Sequence, residues 1–237
     1  VTVSTPGGTG EGDLLIAAVV TDARETISPP PGEGWTQIAH NASQVTLGLW
    51  WKNADAAESP NHQFTWGSNE HAYAWMMRFT GHDPASPINT SQVNGGNSSS
   101  PTSPSVTTTV ANTLILRIGG FDDDDITADS TGLSGHTDIT MDKSNSGNGT
   151  CSGGAGFVQQ PAIGSSGTST FSLTANEQYR TVTIAIAPDT SAPVVGAVAG
   201  GAGYVSQADA GDSGSSTFAL TSSQEARTLT IAIAPAP

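Results

Sequence analysis

The stretch FDDDDITAD places Asp122, Asp123, Asp124, Asp125 and Asp129 just after an alternating apolar run, TLILRIGGF. Adjacent carboxylates repel one another unless water or a cation screens them. Calcium accepts roughly six to eight oxygen ligands in irregular loop geometry, but the spacing here is not the alternating pattern of an EF-hand loop. Two readings follow: a solvated acidic loop, which the spacing favours, or a calcium site. No other cofactor is implied.

Trp50 and Trp51 are the next candidates. They are adjacent in VTLGLWWKNA, so in a strand they point to opposite faces. One can enter a core, while the other meets a second layer, a partner or solvent. An exposed ring there would stack on a sugar or anchor a protein interface. The first expectation is that both are buried, one of them beneath a loop.

Other constellations carry less. His62, His71 and His82 lack the H-x-H or H-E-x-x-H spacing of a metal site. GDSG (Gly211 to Gly214) looks like a serine-nucleophile segment, but no matching histidine motif precedes it, and a turn is expected. Asp55, Glu58, Glu70 and Asp83 could offer paired carboxylates for glycan cleavage, yet no glycosidase signature joins them. Cys151 is the single cysteine, which excludes an intrachain disulfide and a thiolate zinc site. Catalysis is not expected.

These residues must be positioned by strands. LLIAAVV reads as a strand buried on both faces. Alternation puts Leu47, Leu49 and Trp51 on one face and Trp50 and Lys52 on the other. It also groups Tyr73, Trp75, Met77 and Phe79, then Leu114, Leu116 and Ile118, then Val182, Ile184 and Ile186. STPGGTGEGD, SPPPGEG, NGGNSSSPTSPS and SNSGNGTCSGG read as turn clusters. No stretch has convincing helical periodicity. The expectation is an all-β, antiparallel β-sandwich or jelly-roll-like fold.

Of the 237 residues only 12% are charged, and the net charge is −14 with a pI near 4.3. Nucleic acid and anionic membrane surfaces need clustered Lys and Arg, so neither is an expected partner. No apolar run approaches the ~18 residues that span a bilayer. The opening VTVSTPGG lacks a signal-peptide pattern, as expected of a mature, processed or partial polypeptide.

The chain repeats its own ending. Gly153 to Pro188 aligns without gaps on Gly200 to Pro235, with 22 identities in 36 positions at a period of 47 residues. Three strands are expected in the unit: GFVQQ, STFSLT and YRTVTIAIAP. This divides the chain into a sandwich over residues 1–188, a linker over 189–202 and a duplicated sheet-closing segment over 203–237. Three strands cannot bury one apolar face alone, so Leu229, Ile231 and Ile233 are expected to pack on the same or a neighbouring subunit.

GDLLIAAVV, GWTQI, LGLWWKNA, AYAWMMRFTG, NTLILRIGG and TVTIAIAP together resemble an uncharacterised β-sandwich module of secreted bacterial proteins and phage virion proteins. The resemblance spans about residues 1–188 and implies an extracellular or virion-surface setting. The expected function is a non-enzymatic structural module that associates with itself or with a surface scaffold protein. A carbohydrate-binding module using Trp50 or Trp51 is the alternative, and a polysaccharide-degrading enzyme the third.

Overall fold

A computed structural model describes residues 1–144 and 149–190, together with Thr217. The chain divides into two compact units, Val1–Val194 and Val195–Pro237. Apart from Thr217, the second copy of the ending, with Leu229, Ile231 and Ile233, lies outside the described residues, as do linker residues 191–202 and the GDSG segment.

The described part is an antiparallel β-sandwich without a helix. One sheet has four strands in the order β3 (Thr36–Ala42), β4 (Val45–Asn53), β2 (Leu14–Asp22) and β6 (Ala72–Phe79). The other has five, in the order β11 (Thr137–Lys143), β12 (Cys151–Gln160), β10 (Thr113–Asp122), β15 (Glu177–Ile186) and β7 (Ile88–Ser98). Short pairs complete the surface: β1 (Thr2–Ser4) with β5 (Asn61–Gln63), β8 (Thr102–Ser103) with β14 (Ser169–Thr170), and β9 (Thr107–Thr108) with β13 (Gly164–Ser165).

The period-two pattern sets the core. Leu14, Ile16, Ala18 and Val20 of β2 meet Leu116 and Ile118 of β10 and Val182, Ile184 and Ile186 of β15 between the sheets. Trp51, Tyr73 and Phe79 pack at the margin of this layer. Both outer faces are covered as well. Ala17, Val19, Trp50 and Phe64 form a cluster outside the four-stranded sheet, and Phe121, Met141, Phe171 and Tyr179 form one outside the five-stranded sheet. A sheet covered on both faces selects unbroken apolar runs, which is why LLIAAVV does not alternate with polar residues.

Two expectations are corrected. STFSLT is not a strand of its own: Ser169–Thr170 pair with β8, Leu173 makes a single bridge to Ile126, and the segment lies across the outer face with Phe171 buried. The turn clusters NGGNSSSPTSPS and SNSGNGTCSGG are partly strand, because β7 runs through Gly95 and Gly96 and β12 through Gly153 and Gly154. Side chains demand those glycines. A Cβ on Gly95 would meet Arg180, and one on Gly153 would lie 2.7 Å from the Trp75 ring.

Candidate functional site

Trp50 and Trp51 do point to opposite faces of β4. Trp51 is half-buried at the margin of the inter-sheet core, and Trp50 is 1% exposed under the outer layer. The Trp50 ring lies 5.2 Å from that of Phe64 and 6.4 Å from that of His40. A platform for sugar stacking on Trp50 is thereby overturned, since β1 and the segments after β2 and β5 close over it with Val3, Ile27 and Phe64. Trp35, Trp66 and Trp75 are also buried or half-buried.

The acidic run sits where β10 leaves the sandwich, and its carboxylates diverge. Asp122 ends the inward face of β10 and meets Asp22 at the end of β2. Burial first, and then the hydrogen bond and charge of Asp22, push the Asp122 carboxyl up to about 7. Asp123 accepts from the Thr150 hydroxyl at 3.4 Å, and Asp124 pairs with Lys143 at 2.5 Å. Asp125 accepts from Thr174 at 3.3 Å and faces Glu177, whose carboxyl burial and Asp125 raise to about 7. The Asp129 backbone bonds to Met141. Among the described residues no three His, Cys, Asp or Glu are grouped to hold a metal ion. Asp22 and Asp122, with Ala23, Arg24, Ser43 and Gln44, line an open cleft of about 520 Å³.

Of the four carboxylates considered for glycan cleavage, Asp55 and Glu58 come together, both on Lys52 at 2.8 and 3.0 Å. Glu70 lies by Ser68, and Asp83 holds the amides of Ala85 and Ser86. Asp55 and Glu58 border a second open cleft of about 390 Å³ with Thr5, Gly8 and Pro60. Behind it the His62 ring bridges Glu33 at 2.5 Å and Glu58 at 3.2 Å and meets the Thr5 hydroxyl at 3.1 Å. Lys52 also stands 5.9 Å over the Trp35 ring. Burial opposes the Lys52 charge, but Asp55 and Glu58 outweigh it and raise its pKa. Glu58 further accepts the Asp55 amide at 2.7 Å. Its oxygens are committed to the fold, and the network ties β1 and the Glu33 loop to β4.

Arg117 is the feature that sequence reading missed. It stands on the outward face of β10, 1% exposed. Its nitrogens donate to the carbonyls of Ser103, Pro104, Ser166 and Gly167 and to the Thr183 hydroxyl, at 2.8–3.3 Å. Nε donates to His136 Nε2 at 3.0 Å, which leaves the His136 Nδ1 proton for the Ser134 carbonyl at 2.9 Å. With no carboxylate among these partners, burial lowers the guanidinium pKa to about 10. One planar cation thus pins the loops bearing β8 and β13 against the sheet. The available signal was a lone charge inside an apolar strand.

The remaining chemistry is quiet. His82 bonds to Asn53 at 3.1 Å, and among the described residues it forms no metal group with His62 and His71. Cys151 is buried between the sheets, its Sγ 3.6 Å from the carbonyls of Val20 and His71, and burial pushes the thiol up to about 12.

Surface features concentrate on sheet edges. β7 is eleven residues long, INTSQVNGGNS, without a charge, and its register with β15 runs unbroken from Thr90 to Ser98. Val93 at its centre is 48% exposed. The opposite edge, β11, carries Asp138, Asp142 and Lys143 and a bulge. β3 is interrupted by a bulge between Gln37 and Ala39, and β6 carries Arg78. Charges and bulges are the usual protection of an edge against pairing. β7 has the least.

No family model, curated protein or solved structure matches this chain.

Proposed function

We propose that this chain is a non-enzymatic structural module that assembles with copies of itself, on a virion or bacterial exterior, through the open edge of β7. The unprotected edge carries this reading. β7 ends its sheet and has no charge to repel a second strand, and the Asn41 side chain, which donates to the Asn94 carbonyl at 3.2 Å, would have to give way to one. Its midpoint is Val93, so antiparallel pairing of β7 with β7 of a second copy sets the two Val93 side chains at the two-fold axis. That contact is isologous, and it joins two five-stranded sheets into one. The ionisable groups with the most developed environments, Arg117 and the Lys52 network, are consumed in holding loops, which supports scaffold rather than turnover. The burial of Trp50 and Trp75 and the partial burial of Trp35, Trp51 and Trp66 weigh against a glycan platform.

Mass measurement by light scattering tests the reading. Wild type is expected to associate, more strongly as salt screens its net charge of −14. Val93→Lys is expected to give monomers with an unchanged melt. A wild type that stays monomeric at high concentration overturns the proposal.

A further inference from the structure

The five-stranded sheet is completed by one continuous stretch, from β12 to β15, and the way it does so gives the duplicated ending a specific meaning. β12 and β15 do not pair with each other. They lie on either side of β10, which fills the place between them. Ala155, Ile184 and Ile186 go into the inter-sheet core, and Phe171 and Leu173 into the outer cluster. Gly153 and Gly154 leave room for Trp75 and Met141. Ser166, Gly167 and Thr183 receive Arg117. The rest of the sandwich therefore forms a slot with β10 at its centre, and the stretch is its occupant.

The second copy keeps what the slot requires. Of the 16 buried positions in Gly153 to Pro188, 13 carry the same residue 47 positions later, whereas only 3 of the 11 exposed positions do. The two glycines recur as Gly200 and Gly201, and Thr183, whose hydroxyl accepts from Arg117, recurs as Thr230. Ile184 and Ile186 recur as Ile231 and Ile233, while Val182 is replaced by the larger Leu229. A spacer or an unrelated adhesive strand needs no hydroxyl placed for Arg117 and no gap for Trp75. The differences gather instead at exposed sites such as Pro161, Ala162 and Ile163.

We infer that the slot on either side of β10 is a binding site for segments of this kind, and that residues 200–235 are a second occupant able to replace the first within the same chain. The chain holds two occupants for one slot. The first has the shorter connection to β11, and closure entropy favours short connections, though only slowly with length. The second takes over when the first is disabled, with the residues between β11 and the second copy looped out.

The full-length chain tests this, with substitutions that leave β7 untouched. Ile184→Asp places a carboxyl in the fully buried centre of the first occupant. The single variant is expected to keep a cooperative melt and the wild-type mass, with hydrogen-exchange protection moving from residues 178–187 to residues 225–234. Ile231→Asp alone is expected to leave the wild-type melt and protection in place. Ile184→Asp with Ile231→Asp is expected to lose the cooperative transition. Gly153→Leu, which collides with Trp75, offers an independent way to disable the first copy and is expected to behave like Ile184→Asp. If Ile184→Asp and Gly153→Leu are each as unfolded as their double variants with Ile231→Asp, the inference is overturned. A rescued single variant of doubled mass overturns the intrachain assignment, because the second copy then fills a neighbour's slot.

Discussion

Lys52 and Arg117 are both buried cations on outward faces of the sandwich, one on each sheet, and they are accommodated in opposite ways. Lys52 lies among carboxylates: Asp55 and Glu58 bond to it, and Glu58 is shared with His62. Arg117 meets carbonyls, a hydroxyl and an imidazole. Their pKa values separate accordingly, Lys52 raised and Arg117 lowered to about 10. A compact ammonium is well served by charge, whereas a planar guanidinium can spread its donors over several backbone dipoles. The carboxylate solution fixes a local corner, and the carbonyl solution gathers loops distant in sequence, from Ser103 to Gly167.

That contrast is broken most directly at Arg117. Arg117→Ala strands several buried carbonyls and is expected to lower stability by about 3–5 kcal/mol in urea unfolding, as for removal of one member of a buried charged network. Arg117→Lys should recover little of it, because an ammonium cannot reach both loops. Equal stability of Arg117→Lys and wild type would show that charge, not the planar fork, is what the loops need.

At Lys52 a smaller effect is expected, about 2–3 kcal/mol for Lys52→Met, since Glu58 keeps His62 and the Asp55 amide. The double variant Lys52→Met with Glu58→Gln should regain part of the loss, because the uncompensated buried carboxylate is gone. A double variant no better than the single would mean that packing of the Lys52 stem matters more than pairing.

The smallest effect concerns the acidic end, where Asp122 meets Asp22 and Glu177 meets Asp125. Asp122 and Glu177 have folded pKa values near 7, above the ordinary carboxyl range. Their contribution to stability is therefore complete below about pH 4 and is lost as pH rises through about 7. His40, His82 and His136 act in the opposite sense: burial lowers their pKa values, so their contribution is lost as pH falls. The difference between wild type and Asp122→Asn isolates the carboxyl term. The unfolding free energy of wild type in urea, relative to that variant, should fall between pH 5 and pH 8 by about 1–2 kcal/mol after allowance for solvent screening. A pH-independent difference would show that the Asp22 contact does not hold a proton.

The inward faces were legible because period two survives any arrangement of sheets. Leu116 and Ile118, and Val182 and Ile184, stand where alternation puts them. Trp50 and Trp51 were separable for the same reason. What covers Trp50 was not, because Val3, Ile27 and Phe64 come from short or irregular segments without a period. β7 was hidden by glycines that read as turns, although Gly95 and Gly96 are there to admit Arg180 and Tyr179 from the neighbouring strand. The aspartate run suggested convergence, but successive residues leave the chain in different directions and find separate partners. Arg117 was hardest of all: four of its acceptors are backbone carbonyls, which every residue possesses and no composition reveals.

The burial of Cys151 has a practical consequence. The chain has one thiol, sealed where β12 begins and held against the carbonyls of Val20 and His71. A thiol reagent in solution can reach it only when this end of the sandwich parts. Its labelling rate is thus a built-in clock for opening between the layers, read without adding a probe to the sequence.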